Sequence, residues 1–208
     1  MRVIRLVLLC ALLGFLPVAS SSQPAPSRAE WIDALRQGGY VIVFRHAPFS
    51  DQADPDLLKM KKAGAERQLN GEGRALAKSI GESMHKLGIP VGQVQTSTLQ
   101  RAVETGTLLG FGEVTRSPDV TEGDVAATPA ENDRRAEAFR KLVSGQPPAG
   151  SNLVIVSHKP NIVDAFGKEW SDVRACEASV FKPDGNGGYK LIVRIQPSEW
   201  SRLAQASN

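Results

Sequence analysis

The chain has 208 residues, with 25 Lys and Arg against 22 Asp and Glu, a formal charge of +3, 41% hydrophobic residues and 2 cysteines. It is long enough to bury an ordinary core without covalent staples. The charge balance holds no broad basic field, so no nucleic acid is expected as a partner, and any attraction for anions must come from a local cluster.

The amino-terminal stretch MRVIRLVLLCALLGFLPVASSSQPAPS sets Arg2 and Arg5 ahead of an uncharged apolar run from Leu6 to Ala19, followed by small residues. This is the pattern of a secretory signal peptide, expected over residues 1–20 with cleavage near Ser20. The run is shorter than the ~20 apolar residues of a spanning helix, so no stable membrane anchor is expected after cleavage, and the expected location is periplasmic or secreted. Cys10 leaves with this segment, and Cys176 alone makes no internal disulfide. Residues 21–27, SSQPAPS, read as a flexible lead-in, and 28–208 as one domain.

RAEWIDALRQGG puts Trp31, Ile32 and Leu35 on one helical face and stops at Gly38-Gly39. Tyr40 to Phe44 is an apolar strand running directly into Arg45 and His46, and a charged loop follows from Pro48 to Gln68. NGEGRALAKSIGESMHKLGIP spaces Leu76, Ile80, Met84 and Leu87 as a helix that ends at Gly88 and Pro90. VGQVQTS reads as a strand, TLQRAVETGTLLG as a helix, EVTRSP as a weak strand, NDRRAEAFRKLVSG as a helix from Asn132, and NLVIVSH as the most hydrophobic strand. A short helix over Asn161 to Gly167, a hairpin turning at Asp184 to Gly188 and a helix from Pro197 complete the chain. Strands alternating with helices predict an α/β fold, a three-layer α/β/α sandwich around a mostly parallel central sheet.

Two of these strands end alike: one on Arg45-His46, the other on Ser157-His158. Between them TSTLQRAVET places Ser97 at a strand end and Arg101 in the first turn of the next helix. Open α/β sheets bind ligands outside the carboxyl ends of their strands, so neighbouring strands would gather Arg45, His46, Arg101 and His158 at one crevice. Two guanidiniums beside two imidazoles suit a phosphoryl group, whose oxygens the planar Arg fork bonds in pairs.

These elements resemble those of the histidine phosphatase superfamily, with its phosphoglycerate-mutase-like fold. Arg45-His46-Ala47 stands for Arg-His-Gly, QLNGEGRALA for the leucine-turn-glycine helix start, and Ser97, Leu99, Arg101, Ala102, Glu104 and Thr105 for Ser-x-Leu-x-Arg-Ala-x-Glu-Thr. Ser157-His158 stands for the late Gly-His element. The likeness runs from about Gly39 to Ile195, with Ala47 and Ser157 as departures at two glycine positions. It implies that His46 is the nucleophile, that Arg45 and Arg101 clamp the phosphoryl oxygens, and that His158 completes the pocket. It also implies a general-acid glutamate in a Leu-x-Glu pattern. Val120-Thr121-Glu122 is the match, so Glu122 is the candidate, with Asp124, Glu131 and Glu177 as alternatives. His85, inside a helix, is read as structural.

The expectation is an exported, histidine acid phosphatase-like phosphomonoesterase acting through a phosphohistidine, its substrate a phosphorylated small molecule or envelope sugar phosphate. Alternatives are a phosphohistidine (protein) phosphatase and a non-catalytic phosphate-binding member of the fold. No cofactor and no metal are expected, for the chain has neither His-x-His nor His-Glu-x-x-His, and it has no Gly-x-Ser-x-Gly. Arg67 is a further candidate anion contact.

Overall fold

The computed structural model describes residues 28–50, 67–123 and 127–206. The signal segment, the lead-in, positions 51–66 of the charged loop, and Asp124 lie outside the described residues.

Helix α1 (Arg28–Gln37) ends where Gly38 and Gly39 take φ of 79° and 81°. A Cβ on Gly38 would stand 2.4 Å from the Ser151 amide, so the turn into the sheet demands glycine there. Strand β1 (Val41–Arg45) leads through the charged loop to α2 (Gly71–Lys86), then β2 (Val91–Ser97), α3 (Gln100–Leu108) and β3 (Val114–Ser117). A 3-10 turn (Pro118–Val120) precedes α4 (Pro129–Ser144), β4 (Asn152–Ser157) and α5 (Lys159–Phe166). Strands β5 (Ala178–Pro183) and β6 (Tyr189–Ile195) form the expected hairpin, and α6 (Pro197–Ala206) closes the described chain.

Two helices begin earlier than their apolar periodicity suggests. Helix α4 starts at Pro129, not Asn132, because Thr128 caps it by accepting the Glu131 amide at 3.2 Å, and proline in the first turn forfeits no helical bond. The same tolerance of an early proline lets α5 start at Lys159, ahead of Pro160 and two residues before Asn161.

The six strands lie in the order β3-β2-β4-β1-β5-β6. Strands β3, β2, β4 and β1 run parallel, while β5 is antiparallel to both β1 and β6. Strands β1 and β4 are buried on both faces, which explains their unbroken apolar runs. Ile42 and Phe44 point into one core with Leu35, Ile80, Met84 and Trp200, so α1, α2, α3 and α6 cover that face. Val41 and Val43 alternate into the other core with Phe139, Val143, Ile162 and Trp170, beneath α4 and α5. Full burial of each large apolar side chain contributes roughly 1.5–3 kcal/mol. Among the described residues, no helix is long and apolar enough to cross a membrane.

Candidate active site

The chain leaves β1 toward one face of the sheet, into α2, and leaves β4 toward the other, into α5. These strands are neighbours, with Arg45 opposite Ser157, so their carboxyl ends part and open a crevice at the switch point of the sheet. Strand β2 adjoins β4 on its far side and brings Ser97 and the start of α3 to the same end. Topology thus gathers His46, His158, Arg45 and Arg101, residues far apart in sequence.

The imidazole of His46 is 4% exposed and its Nδ1 stands 2.8 Å from the Ala47 carbonyl. A carbonyl only accepts, so Nδ1 carries the proton and Nε2 keeps a free lone pair. Burial, with help from the Arg101 and Arg45 charges, pushes the His46 pKa down to about 4, against a smaller upward effect of the Ala47 bond. His46 is therefore neutral near pH 7, the form a nucleophile needs.

The adjacent turn is held by a relay of hydrogen bonds. Thr105 Oγ1 donates to the Arg101 carbonyl at 2.7 Å and accepts the Ala47 amide at 3.0 Å, tying α3 to the residue that orients His46. Ala47 is fully buried, its methyl absorbed by the core. The leucine-turn-glycine segment backs the same turn: Asn70 caps α2 by accepting the Gly73 amide, and a Cβ on Gly73 would lie 2.0 Å from the Pro48 carbonyl. The role of Thr105 was missed from the sequence, although its motif position was noted. Glu104 of that motif ties α3 to α2 through Arg74 at 2.6 Å.

His158 is fully buried, its ring centroid 5.1 Å from that of His46. Its Nε2 meets Ser97 Oγ at 2.7 Å, and that oxygen already accepts the Leu99 amide at 3.0 Å. When Ser97 gives its own proton to Nε2, the imidazole proton stands on Nδ1, which has no protein hydrogen-bond partner and lies 3.9 Å from Glu122 Oε2. That N–H is placed to donate to an oxyanion. Burial first, then the neighbouring His46, Arg101 and Arg45, push the His158 pKa down to about 2.

Arg45 is anchored by one guanidinium arm on the Val173 carbonyl at 2.9 Å. Arg101, 7% exposed, pairs with Glu122 and lies 5.8 Å from the centroid of the Phe49 ring. Phe49 in turn stands 5.2 Å from the His46 ring and carries the Arg67 guanidinium at 5.4 Å, which places Arg67 at the crevice mouth. Among the alternatives to Glu122, Glu131 pairs with Arg134 and Arg135 on the outside of α4, and buried Glu177 is occupied by Arg194, Gln196 and the Arg174 amide. His85 stacks on Phe111 and meets the Gly110 carbonyl, remote from the crevice. Cys176 is buried with φ of 57°, its amide bonding the Arg45 and His46 carbonyls, and burial pushes its thiol up to about 12, an inert packing group.

The two neutral histidines make stability depend on pH. Both folded pKa values lie below the ordinary 6.5, so the stability they confer is present above pH 6.5 and is lost as pH falls through about 4 and toward 2. Each such proton costs about 1.4 kcal/mol per pH unit below 6.5. Urea denaturation at pH 6.5 and pH 5 is expected to show a wild-type loss that exceeds that of His46→Ala by roughly 2 kcal/mol. Parallel losses would refute the buried neutral assignment.

No protein-family model matches the chain, and no curated protein does. Solved structures do. The protein histidine phosphatase SixA complexed with tungstate matches at 14% identity and a TM-score of 0.58, over 77% of this chain and 98% of that one. A mycobacterial glucosyl-3-phosphoglycerate phosphatase complexed with VO3 matches at 16% identity and TM-score 0.52, over 75% and 98%. A phosphoserine phosphatase from Entamoeba histolytica, in complex with phosphoserine, matches at 13% and 0.52, over 76% and 97%. The chain has the fold of the histidine phosphatase superfamily. What it shares with these phosphatases at such identities is that fold.

Proposed function

We propose that this chain is an exported phosphatase of the histidine phosphatase superfamily, hydrolysing phosphate monoesters through a phosphohistidine on His46. The observation that carries the reading is the neutral His46, its Nδ1 proton tied to the Ala47 carbonyl, set between Arg45 and Arg101 and against His158. Nε2 attacks phosphorus, and the bond to the ester oxygen breaks. Arg45, Arg101 and the Nδ1–H of His158 take the charge on the equatorial oxygens, in a reaction governed by positioning and electrostatics. The substrate phosphoryl, entering as the monoanionic ester, displaces the Glu122 carboxylate from Arg101 and passes its proton to it, and Glu122 hands that proton to the departing alkoxide. Water then attacks the phosphohistidine and the P–Nε2 bond breaks; Glu122 takes the water proton and passes it to the departing phosphate, which restores Nε2 and the Glu122 carboxylate. The substrate is a phosphorylated small molecule or an envelope sugar phosphate, met in the periplasm or outside the cell.

The fold likeness to SixA supports a second reading, a phosphohistidine phosphatase. A carboxyl group within the crevice favours the ester, because an imidazole leaves without the help an alkoxide needs. Glu122→Gln separates the two. It is expected to lower kcat/KM by roughly a hundredfold or more on an alkyl phosphate while sparing 2,4-dinitrophenyl phosphate, whose leaving group needs no proton. Equal effects on both esters would remove Glu122 as the acid.

A further inference from the structure

The second histidine is preceded by Ser157 where the resemblance leads one to expect glycine, and this hydroxyl has a partner. Ser157 is the last residue of β4 and is fully buried. Its backbone carbonyl accepts the His46 amide at 3.0 Å, and its Oγ donates to the Val120 carbonyl at 2.8 Å. One residue thus holds the backbone of the nucleophile on one side and, on the other, the strap Val120-Thr121-Glu122, which leaves the 3-10 turn and carries the acid.

The rest of the strap is tied down from the same strand ends. Asn161, 6% exposed in the first turn of α5, donates from Nδ2 to the Thr121 carbonyl at 3.0 Å. Thr121 Oγ1 accepts the Thr98 amide at 2.9 Å and donates to the Ser117 carbonyl at 2.8 Å. The hydrogen bonds fix Val120 and Thr121, leaving the Glu122 side chain to reach Arg101 and, at 3.9 Å, His158 Nδ1. Nothing else in the chemistry uses the Ser157 hydroxyl. A glycine would leave the strap unheld at this point, and a carboxyl displaced by about 1 Å loses much of its efficiency as an acid.

We infer that Ser157, seconded by Asn161, is a positioning residue that fixes the Glu122 strap over the phosphoryl site and so sets proton delivery to the leaving group. The inference rests on the proposed role of Glu122. Its effect is on proton delivery, since the Ser157 hydroxyl and Asn161 Nδ2 are committed to the carbonyls of the strap. The signature is therefore a dependence on leaving group, which a loss of general structural integrity would not produce.

The test compares kcat/KM, which reports transfer to His46, for 2,4-dinitrophenyl phosphate and for a simple alkyl phosphate. Ser157→Ala is expected to lose roughly tenfold to a hundredfold on the alkyl ester and to stay within about twofold on the dinitrophenyl ester. Because Ser157 is fully buried, Asn161→Ala is measured in parallel as a variant on the other side of the strap, with the same selective loss expected. If Ser157→Ala does not fold, the Asn161→Ala ratio decides. Equal losses on both esters, or no loss on either, overturn the inference when Glu122→Gln itself is selective. A Glu122→Gln variant that shows no selectivity overturns the acid assignment instead.

Discussion

His46→Ala is expected to lose turnover by on the order of 10⁴-fold or more and to trap no phosphate on the protein. The neutral imidazole has no ready substitute in His158, whose Nε2 is committed to the Ser97 hydroxyl at 2.7 Å. Rapid acid-free quenching of the wild type with labelled substrate is expected to yield a protein-bound phosphate that survives base and breaks in acid, as a phosphoramidate does. The variant is expected to stay folded, since His46 stands at the strand end and its side-chain hydrogen bond goes to its own neighbour Ala47. His158→Ala is expected to slow turnover while any label stays on His46. A label on serine or aspartate, or near-full turnover in His46→Ala, would refute the mechanism.

The fold was legible where a strand is buried on both faces. Val41 to Phe44 and Leu153 to Val156 have no polar residue to interrupt them, and each runs into its histidine, so both strands and their common end can be read in one dimension. Neighbourhood of β1, β4 and β2 was a condition in the sequence reading and is a fact of the sheet order. What stayed hidden depends on register between distant elements. Thr105 and Ala47 are 58 positions apart, Ser157 and Val120 37, Asn161 and Thr121 40. A buried serine or threonine looks like any other small polar residue until its partner is known. The early starts of α4 and α5 were hidden for a different reason: the apolar periodicity does not reach their first turns, where Pro129 and Pro160 cost the helix nothing.

The Arg101 guanidinium tests whether the crevice works by geometry or by charge alone. It extends from the first turn of α3, its own carbonyl held by Thr105, and its resting partner is Glu122. Arg101→Ala is expected to lower kcat/KM by on the order of 10³-fold, the scale set by removing a charged clamp from a transferring phosphoryl group. Arg101→Lys is expected to recover less than tenfold of this, because a single ammonium cannot span two phosphoryl oxygens. The pH profile separates the two contributions. Arg101 is one of the charges that lower the His46 and His158 pKa values, so its removal raises them and moves the acid limb of residual activity to higher pH. The lysine variant keeps that charge and is expected to leave the limb in place while still turning over slowly. Full activity with lysine would show that the paired fork is not what holds the phosphoryl group, and an acid limb unmoved in the alanine variant would show that the Arg101 charge does not tune the two histidines.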